Sequence, residues 1–586
     1  MKTPRSIYSF FVALSLVCTN CTDNHSPVSI RIIATTDVHG QIFADDCLDG
    51  SERTSSLARF STFLKRERSR NSNLIYLDAG DILQGSIELY HDRTAQFLRD
   101  NLAAKAYNLL GCDAAAMGNH DLAVGAQAYA GFIKSIKFPL LSANLRYPDS
   151  QWFLPPYTII ERQGIKVAVL GLITQSVDYS IPDDVMGELK VSDPVEMARY
   201  WVPVLKEREK ADVIVGLFHS GFESGVVATG YPSGNITRSM LDKVPGFDVI
   251  VYGHDHEPRC LKVTDCQGDS VLLLNPGPYA AKAAVATLTV QHGSDGVEVK
   301  TTGELVDITS ETPDRKFVDA LSGWHRDVVQ YADSVIGASA IPLQINAALW
   351  RDVSAMDLVH SSQMRYMGAE VSLTAPVPAV LNIPAGDIKV RDVLKLYRYE
   401  NNMVSVLLTG SEIRDALEYS AGLFYNTVGK GTEHLLKLKT DSLTGNKVPE
   451  VVSSSFLTAA GIDYTIDVTK PAGKRVTILS MSDGTKFEND RKYRTTINNY
   501  LYSGSESVLI KATGLSENEM SKRFQASATA DIRYYMLTKF AVNAEVNKAV
   551  KTDRYDNWRL VPQKTVNSYL SKDTIDFMLI PDYIQK

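Results

Sequence analysis

Five short apolar runs in the first half of the chain each end in a polar motif of a kind that ligates metal. Residues 30–34 lead to Asp37-x-His39, residues 73–77 to Gly80-Asp81, and residues 113–117 to Gly118-Asn119-His120-Asp121. Residues 213–218 lead to His219-Ser220-Gly221, and residues 248–252 to Gly253-His254-Asp255-His256. Apolar runs this short, without polar alternation, read as strands buried on both faces. Side chains at the carboxyl ends of such strands converge on one edge of a sheet, where α/β folds bind ligands. Similar runs at residues 165–172 and 270–274, alternating with helical segments, predict an α/β sandwich of sheets flanked by helices.

The donors are carboxylates, imidazoles and an amide oxygen, which suit Mn, Zn, Fe or Co, and no motif contains a thiolate that would demand softer chemistry. Five of the eleven histidines fall in these motifs, too many for scattered core or surface residues. Two divalent ions roughly 3.5–4 Å apart form a clamp for in-line displacement at phosphorus.

This ordered set resembles the calcineurin-like metallophosphoesterases, specifically the two-domain 5'-nucleotidase family. The resemblance implies a four-layer α/β/β/α sandwich followed by a smaller α+β domain for substrate specificity. It implies that Asp37, His39 and His256 hold one divalent metal ion and that Asn119, His219 and His254 hold a second, with Asp81 bridging the two. Asn119 and His120 would meet the substrate, His120 by contacting the phosphate and protonating the leaving side. Water acidified by a cation would be the nucleophile. Many family members orient this histidine with an acidic residue three positions on. Here that position is Ala123, and Asp121 stands next to the histidine instead, either as a helix N-cap or as its catalytic partner.

The metal domain is expected over residues 28–309. A polar, proline-containing stretch at 309–314 marks its end, and Phe317, Leu321, Trp324, Val328 and Tyr331 line one face of an amphipathic helix over 316–332. Residues 310–332 form the linker, 333–553 the second domain and 554–586 a tail that packs on a domain surface. The segments Ile383-Pro384-Ala385-Gly386-Asp387 and Asn498-Asn499-Tyr500, together with His219-Ser220-Gly221, are most similar to the 2',3'-cyclic-nucleotide 2'-phosphodiesterase/3'-nucleotidase branch. The Gly-Gly-Ile-Arg common in 5'-nucleotidases is missing from residues 375–382, which weakens a dedicated 5'-monophosphate reading.

Nucleobase recognition needs flat aromatic faces, each worth roughly 1–3 kcal/mol. By family position Tyr500 supplies one face, beside Asn499. Phe456 is expected opposite, with Tyr464 as the fallback. The Gly- and Ser-rich loop 221–235 is either a mobile element near the metals or a plain surface loop, and Tyr502 to Ser505 suggests a flexible loop after the stacking residue.

Lys2 and Arg5 precede a short apolar segment over residues 7–17, the pattern of a signal peptide ending near residue 21. Either Cys18 or Cys21, with Cys21 favoured, would carry the lipid of a bacterial lipoprotein; the alternative is a plain secretory signal. Export to the periplasm or to a membrane follows from both. Export also permits disulfides. Cys260 and Cys266 are spaced to staple a hairpin, while Cys47 and Cys112 are either free thiols or a pair. The net charge of −7 excludes a surface that coats nucleic-acid polymers. The expected function is therefore that of a monomeric, exported enzyme acting on small nucleotides. It would open 2',3'-cyclic nucleotides and dephosphorylate 3'-nucleotides. A broad 5'-nucleotidase or UDP-sugar hydrolase is the enzymatic alternative, and a nucleotide-binding lipoprotein without catalysis is the other.

Overall fold

A computed structural model describes residues 26–578 apart from 95–100, 178–180, 182, 224–233, 294–295, 377–380, 441–446, 452, 504–507 and 552–555. The signal segment with Cys18 and Cys21, most of the 221–235 loop and the segment after Tyr502 lie outside the described residues.

The apolar runs form two stacked six-stranded sheets. In the first, strands Val28–Thr35, Leu74–Asp78, Ala114–Ala116 and Leu140–Leu141 run parallel, with the hairpin Lys282–Gly293 and Gly296–Asp307 added antiparallel at one side. In the second, Ser270–Asn275, Val249–Tyr252, Val213–His219 and Ile165–Ile173 run parallel between two antiparallel edge strands. Because side chains alternate along a strand, Ile30, Ile32 and Ala34 face the second sheet's Val167, Val215 and Val251 in one dry layer. Ile33 points the other way into a helix-covered layer with Phe60, Phe63 and Leu64. The second sheet is covered outside by Ala198, Trp201 and Val202 of the Pro194–Pro203 helix. This is the expected four-layer arrangement, and it explains why the runs carry no polar alternation: both faces are buried.

The Arg315–Asp333 helix starts at the N-cap Asp314, whose carboxylate accepts from Lys316 N–H. Its Phe317, Leu321, Val328 and Ala332 pack into the first domain's outer layer, where Val390 and Leu394 of the second domain join them. The second domain is α+β. A five-stranded sheet, ordered Thr458–Ala460, Val371–Thr374, Lys492–Asn498, Asn402–Thr409 and Phe524–Asp531, is flanked by helices Ser354–Met367 and Gly410–Phe424. The tail is more integral than expected. Its strand Trp558–Val561 pairs in parallel with Ile462–Asp467, and the fully buried Asp573 accepts from Leu435 N–H at 2.9 Å and Leu436 N–H at 3.2 Å. All four described cysteines are free thiols, so neither considered pairing is formed.

Candidate metal centre and active site

The strand ends deliver the donors through sharp turns. Asp37, His39, Asp81, His254 and His256 all adopt left-handed backbone, with φ between 49° and 79°. That region is costly for a residue with a Cβ, but it turns successive side chains back toward one point. Gly118 allows two of these turns to touch, since a Cβ there would lie 2.2 Å from Asp81 Oδ1.

Two groups of donors result. In one, His256 Nε2 lies 3.3 Å from Asp37 Oδ1 and 3.1 Å from His39 Nε2. His39 Nδ1–H donates to the Gln84 carbonyl at 2.8 Å, so its Nε2 presents a lone pair. In the other, His219 Nε2 lies 3.2 Å from Asp81 Oδ2 and 2.9 Å from Asn119 Oδ1. His219 Nδ1–H is likewise committed, to Ala79 O at 2.8 Å. Acceptor atoms crowded in this way repel one another unless a cation or proton lies between them. Asp81 Oδ2 is also 3.9 Å from His39 Nε2, which places this carboxylate between the groups. Asp37 belongs to both sets of converging donors. His254 donates its backbone N–H to Asp37 Oδ2 at 3.0 Å, and its ring stands edge-on to His219 at 5.2 Å.

The electrostatics agree. Burial alone would raise the carboxyls of Asp37 and Asp81, yet His256 holds the first and His219 the second far below the usual range. Burial alone would lower His219, but Asp81 pushes it up to about 10. Burial, followed by the charge on His219, drives His254 down to about 4. The fold thus concentrates negative charge that positive charge must offset. The donor chemistry fits hard or borderline divalent cations.

Asp121 does not partner His120. Its two oxygens accept from the backbone N–H groups of Gly118, Asp81, Ile82 and Leu83 at 2.7–2.9 Å. It is a clamp joining two ligand-bearing turns, and burial raises it to about 6. The group at His120 Nδ1 is the side-chain oxygen of Gln84, which sequence reasoning missed.

The base-stacking expectation divides in the same way. Tyr500 is 57% exposed. Phe456 is 1% exposed, packed against Phe424, Tyr425 and Trp558, and Tyr464 is equally buried, stacked on Trp558. Neither can meet a base: Tyr464 points inward from its strand Ile462–Asp467, and Phe456, just before the strand Thr458–Ala460, is enclosed by the same core. Tyr399, 55% exposed, is the accessible alternative. Antiparallel pairing of Met403 with Asn498 brings Tyr399, just before one strand, and Tyr500, just after the other, to the same end of the sheet. Asn499 sits between, half-buried.

Residues 30–258 match the family model of the calcineurin-like phosphoesterases, and residues 335–512 match that of the 5'-nucleotidase C-terminal domain. The chain belongs to the 5'-nucleotidase family. It is accordingly a hydrolase of phosphoric esters. A 2',3'-cyclic-nucleotide 2'-phosphodiesterase/3'-nucleotidase of Salmonella typhimurium is 24% identical, over 92% of this chain and 90% of its own length. A trifunctional nucleotide phosphoesterase of Bacillus subtilis is 26% identical over 81% of this chain, which spans only 36% of that longer protein. The fold is shared with a candidate 5'-nucleotidase from Staphylococcus aureus solved in complex with alpha-ketoglutarate (TM-score 0.70, 19% identity, 91% of this chain and 100% of that one).

In this member of the 5'-nucleotidase family the two domains meet beside the donors, at Glu400. Its buried carboxylate pairs with Arg93 of the first domain and with Arg533 of the second, the latter at 3.1 Å. Burial would raise this carboxyl, but the two guanidinium groups hold it down at about 2. The Glu400 carbonyl accepts from Gln84 Nε2 at 3.3 Å, and its carboxylate accepts from Gly85 N–H at 3.4 Å. Arg533 also lies over the Tyr90 ring, 4.7 Å from its centre, and Arg391 donates to the Leu48 carbonyl.

Proposed function

We propose that this protein hydrolyses nucleotide phosphoesters, opening 2',3'-cyclic nucleotides and then dephosphorylating the 3'-nucleotides. The observation that carries the reading is the placement of Tyr399 and Tyr500. Both are exposed, at the sheet end whose neighbouring residue Glu400 touches Gln84 and Gly85 beside the donors. A nucleotide with its phosphate at the donor cluster finds its aromatic platform on that side. The cyclic and 3' preference is supported by the Asn498-Asn499-Tyr500 segment and by the Salmonella relative, which is matched over most of both chains.

Asp37, His39 and His256 would hold one divalent ion and Asn119, His219 and His254 the other, with Asp81 between them. Ions of this class, Mn, Zn, Fe or Co, supply Lewis-acid stabilisation of phosphoryl charge and acidify water. His120 and Asn119 face the phosphate. His120 Nε2 is free to hold a proton at the leaving oxygen, because Nδ1 is engaged by Gln84. Tyr500, aided by Tyr399 and Asn499, orients the nucleoside, so that binding energy remote from phosphorus aligns the scissile bond. We read the N-terminal segment as an export signal, delivering a monomeric enzyme to the periplasm or, through lipidated Cys21, to a membrane. Among the described residues no helix is long and apolar enough to cross a membrane.

A second reading, a broad 5'-nucleotidase or UDP-sugar hydrolase, is favoured by the family model that matches residues 335–512. Release of phosphate or nucleoside from 2',3'-cyclic AMP, 3'-AMP, 5'-AMP and UDP-glucose, with Mn²⁺ present, separates the two. Preference for the first pair supports the cyclic reading, and preference for the second pair replaces it. No turnover of any of the four leaves a nucleotide-binding role.

A further inference from the structure

Gln84 is only 9% exposed and touches three groups at once. Its backbone oxygen accepts from the metal-ligand candidate His39, its side-chain oxygen lies against His120 Nδ1, and its Nε2 donates to the Glu400 carbonyl of the second domain. A backbone carbonyl has no proton to give. The Glu400 oxygen therefore fixes the NH₂ end of the amide on its own side and turns the Gln84 oxygen toward His120. An amide oxygen only accepts, so His120 must donate from Nδ1, and its Nε2 is the nitrogen left for the substrate. The two acidic residues that bracket His120 in space are committed elsewhere: Asp121 to four backbone amides, and Asp81 to the His120 backbone N–H at 2.8 Å and to His219.

We propose that Gln84 is the positioning residue of His120. It sets the tautomer and the plane of the imidazole with a neutral acceptor, and it does so in a geometry completed by Glu400 of the second domain. The proposal rests on the reading of this site as a phosphoesterase centre in which His120 acts on the leaving oxygen.

The test compares His120→Ala, Gln84→Met and the double variant on the best substrate of the four above, with bound metal and melting temperature measured for each. Met keeps the length of the side chain but donates nothing and accepts only weakly. Gln84→Met is expected to lower kcat by about 10–100-fold, with KM within about threefold. Metal content should be retained, and the double variant should be no slower than His120→Ala alone. Gln84→Glu, which keeps an accepting oxygen, should recover most of the lost kcat. The proposal is overturned if the Gln84→Met loss appears undiminished in the His120→Ala background or follows loss of metal. Equal slowness of Gln84→Glu and Gln84→Met, with metal retained, overturns it too. Full activity of His120→Ala would strike the functional reading first and this proposal with it.

Discussion

His219 Nε2 lies 3.2 Å from Asp81 Oδ2 while its Nδ1 faces the Ala79 carbonyl, so a proton or a cation must stand between Nε2 and the carboxylate. The pair is arranged for a cation. Asp81→Asn keeps the shape but removes the charge that two cations share. It is expected to lower turnover by more than about 100-fold, since even outer partners of metal ligands are worth 10–100-fold. Bound metal per chain should fall with it. Elemental analysis alongside initial rates checks this, and near-normal turnover would refute the assignment of Asp81.

The contact between domains should depend on Glu400. Glu400→Gln leaves buried Arg533 with Asp531, at 3.2 Å, as its remaining carboxylate among the described residues, and takes the carboxylate from Arg93, which keeps the Leu83 carbonyl. Breaking one partner of a buried pair costs about 3–5 kcal/mol. The expected outcome is an earlier thermal transition and a larger radius of gyration in small-angle scattering. A variant unchanged in both would show that Glu400 is dispensable to docking.

Aromatic roles are separable. Tyr500→Ala should raise KM for nucleotides by roughly 5–150-fold, the equivalent of 1–3 kcal/mol of stacking. Hydrolysis of bis(p-nitrophenyl) phosphate, which has no base, should be little changed. Phe456→Ala should instead destabilise the second domain by about 3–5 kcal/mol, read from urea unfolding. The reverse pattern would restore Phe456 as a ligand residue.

Acid should weaken the second domain through His360. Its ring is fully enclosed, 2.9 Å from Ser372 Oγ and 3.0 Å from Thr458 Oγ1, and burial drives it down to about 3. Above about pH 6.5 both folded and unfolded states hold it neutral, and it contributes no pH dependence. Below that value the unfolded chain takes up a proton that the folded domain refuses until about pH 3. Stability therefore falls on acidification, by up to about 1.4 kcal/mol per pH unit. His360→Asn should flatten the urea midpoint between pH 6.5 and 4.5; an unchanged slope would assign the acid sensitivity elsewhere.

The strands were legible in the sequence because two stacked sheets leave both faces dry, and residues such as Val213 to Phe218 have no reason to alternate. The donors were legible because each follows its strand by at most a few residues. The clamp formed by Asp121 was not, since its partners are backbone amides, which every residue possesses and no sequence displays. Gln84 was hidden because it meets His120 across 36 positions without any spacing signature. The exchange of Phe456 for Tyr399 has no sequence signal, because an aromatic residue reads alike whether the fold encloses it or leaves it out. The parallel pairing of Trp558–Val561 with Ile462–Asp467 spans nearly a hundred residues, beyond any local pattern.

Five proposed ligands share left-handed backbone, at a cost of roughly 1–2 kcal/mol each for a residue with a Cβ. That strain alone would favour glycine at those five places. Variants chosen only for heat resistance of the metal-free chain should accumulate glycine at Asp37, His39, Asp81, His254 and His256 and lose catalysis as they do so.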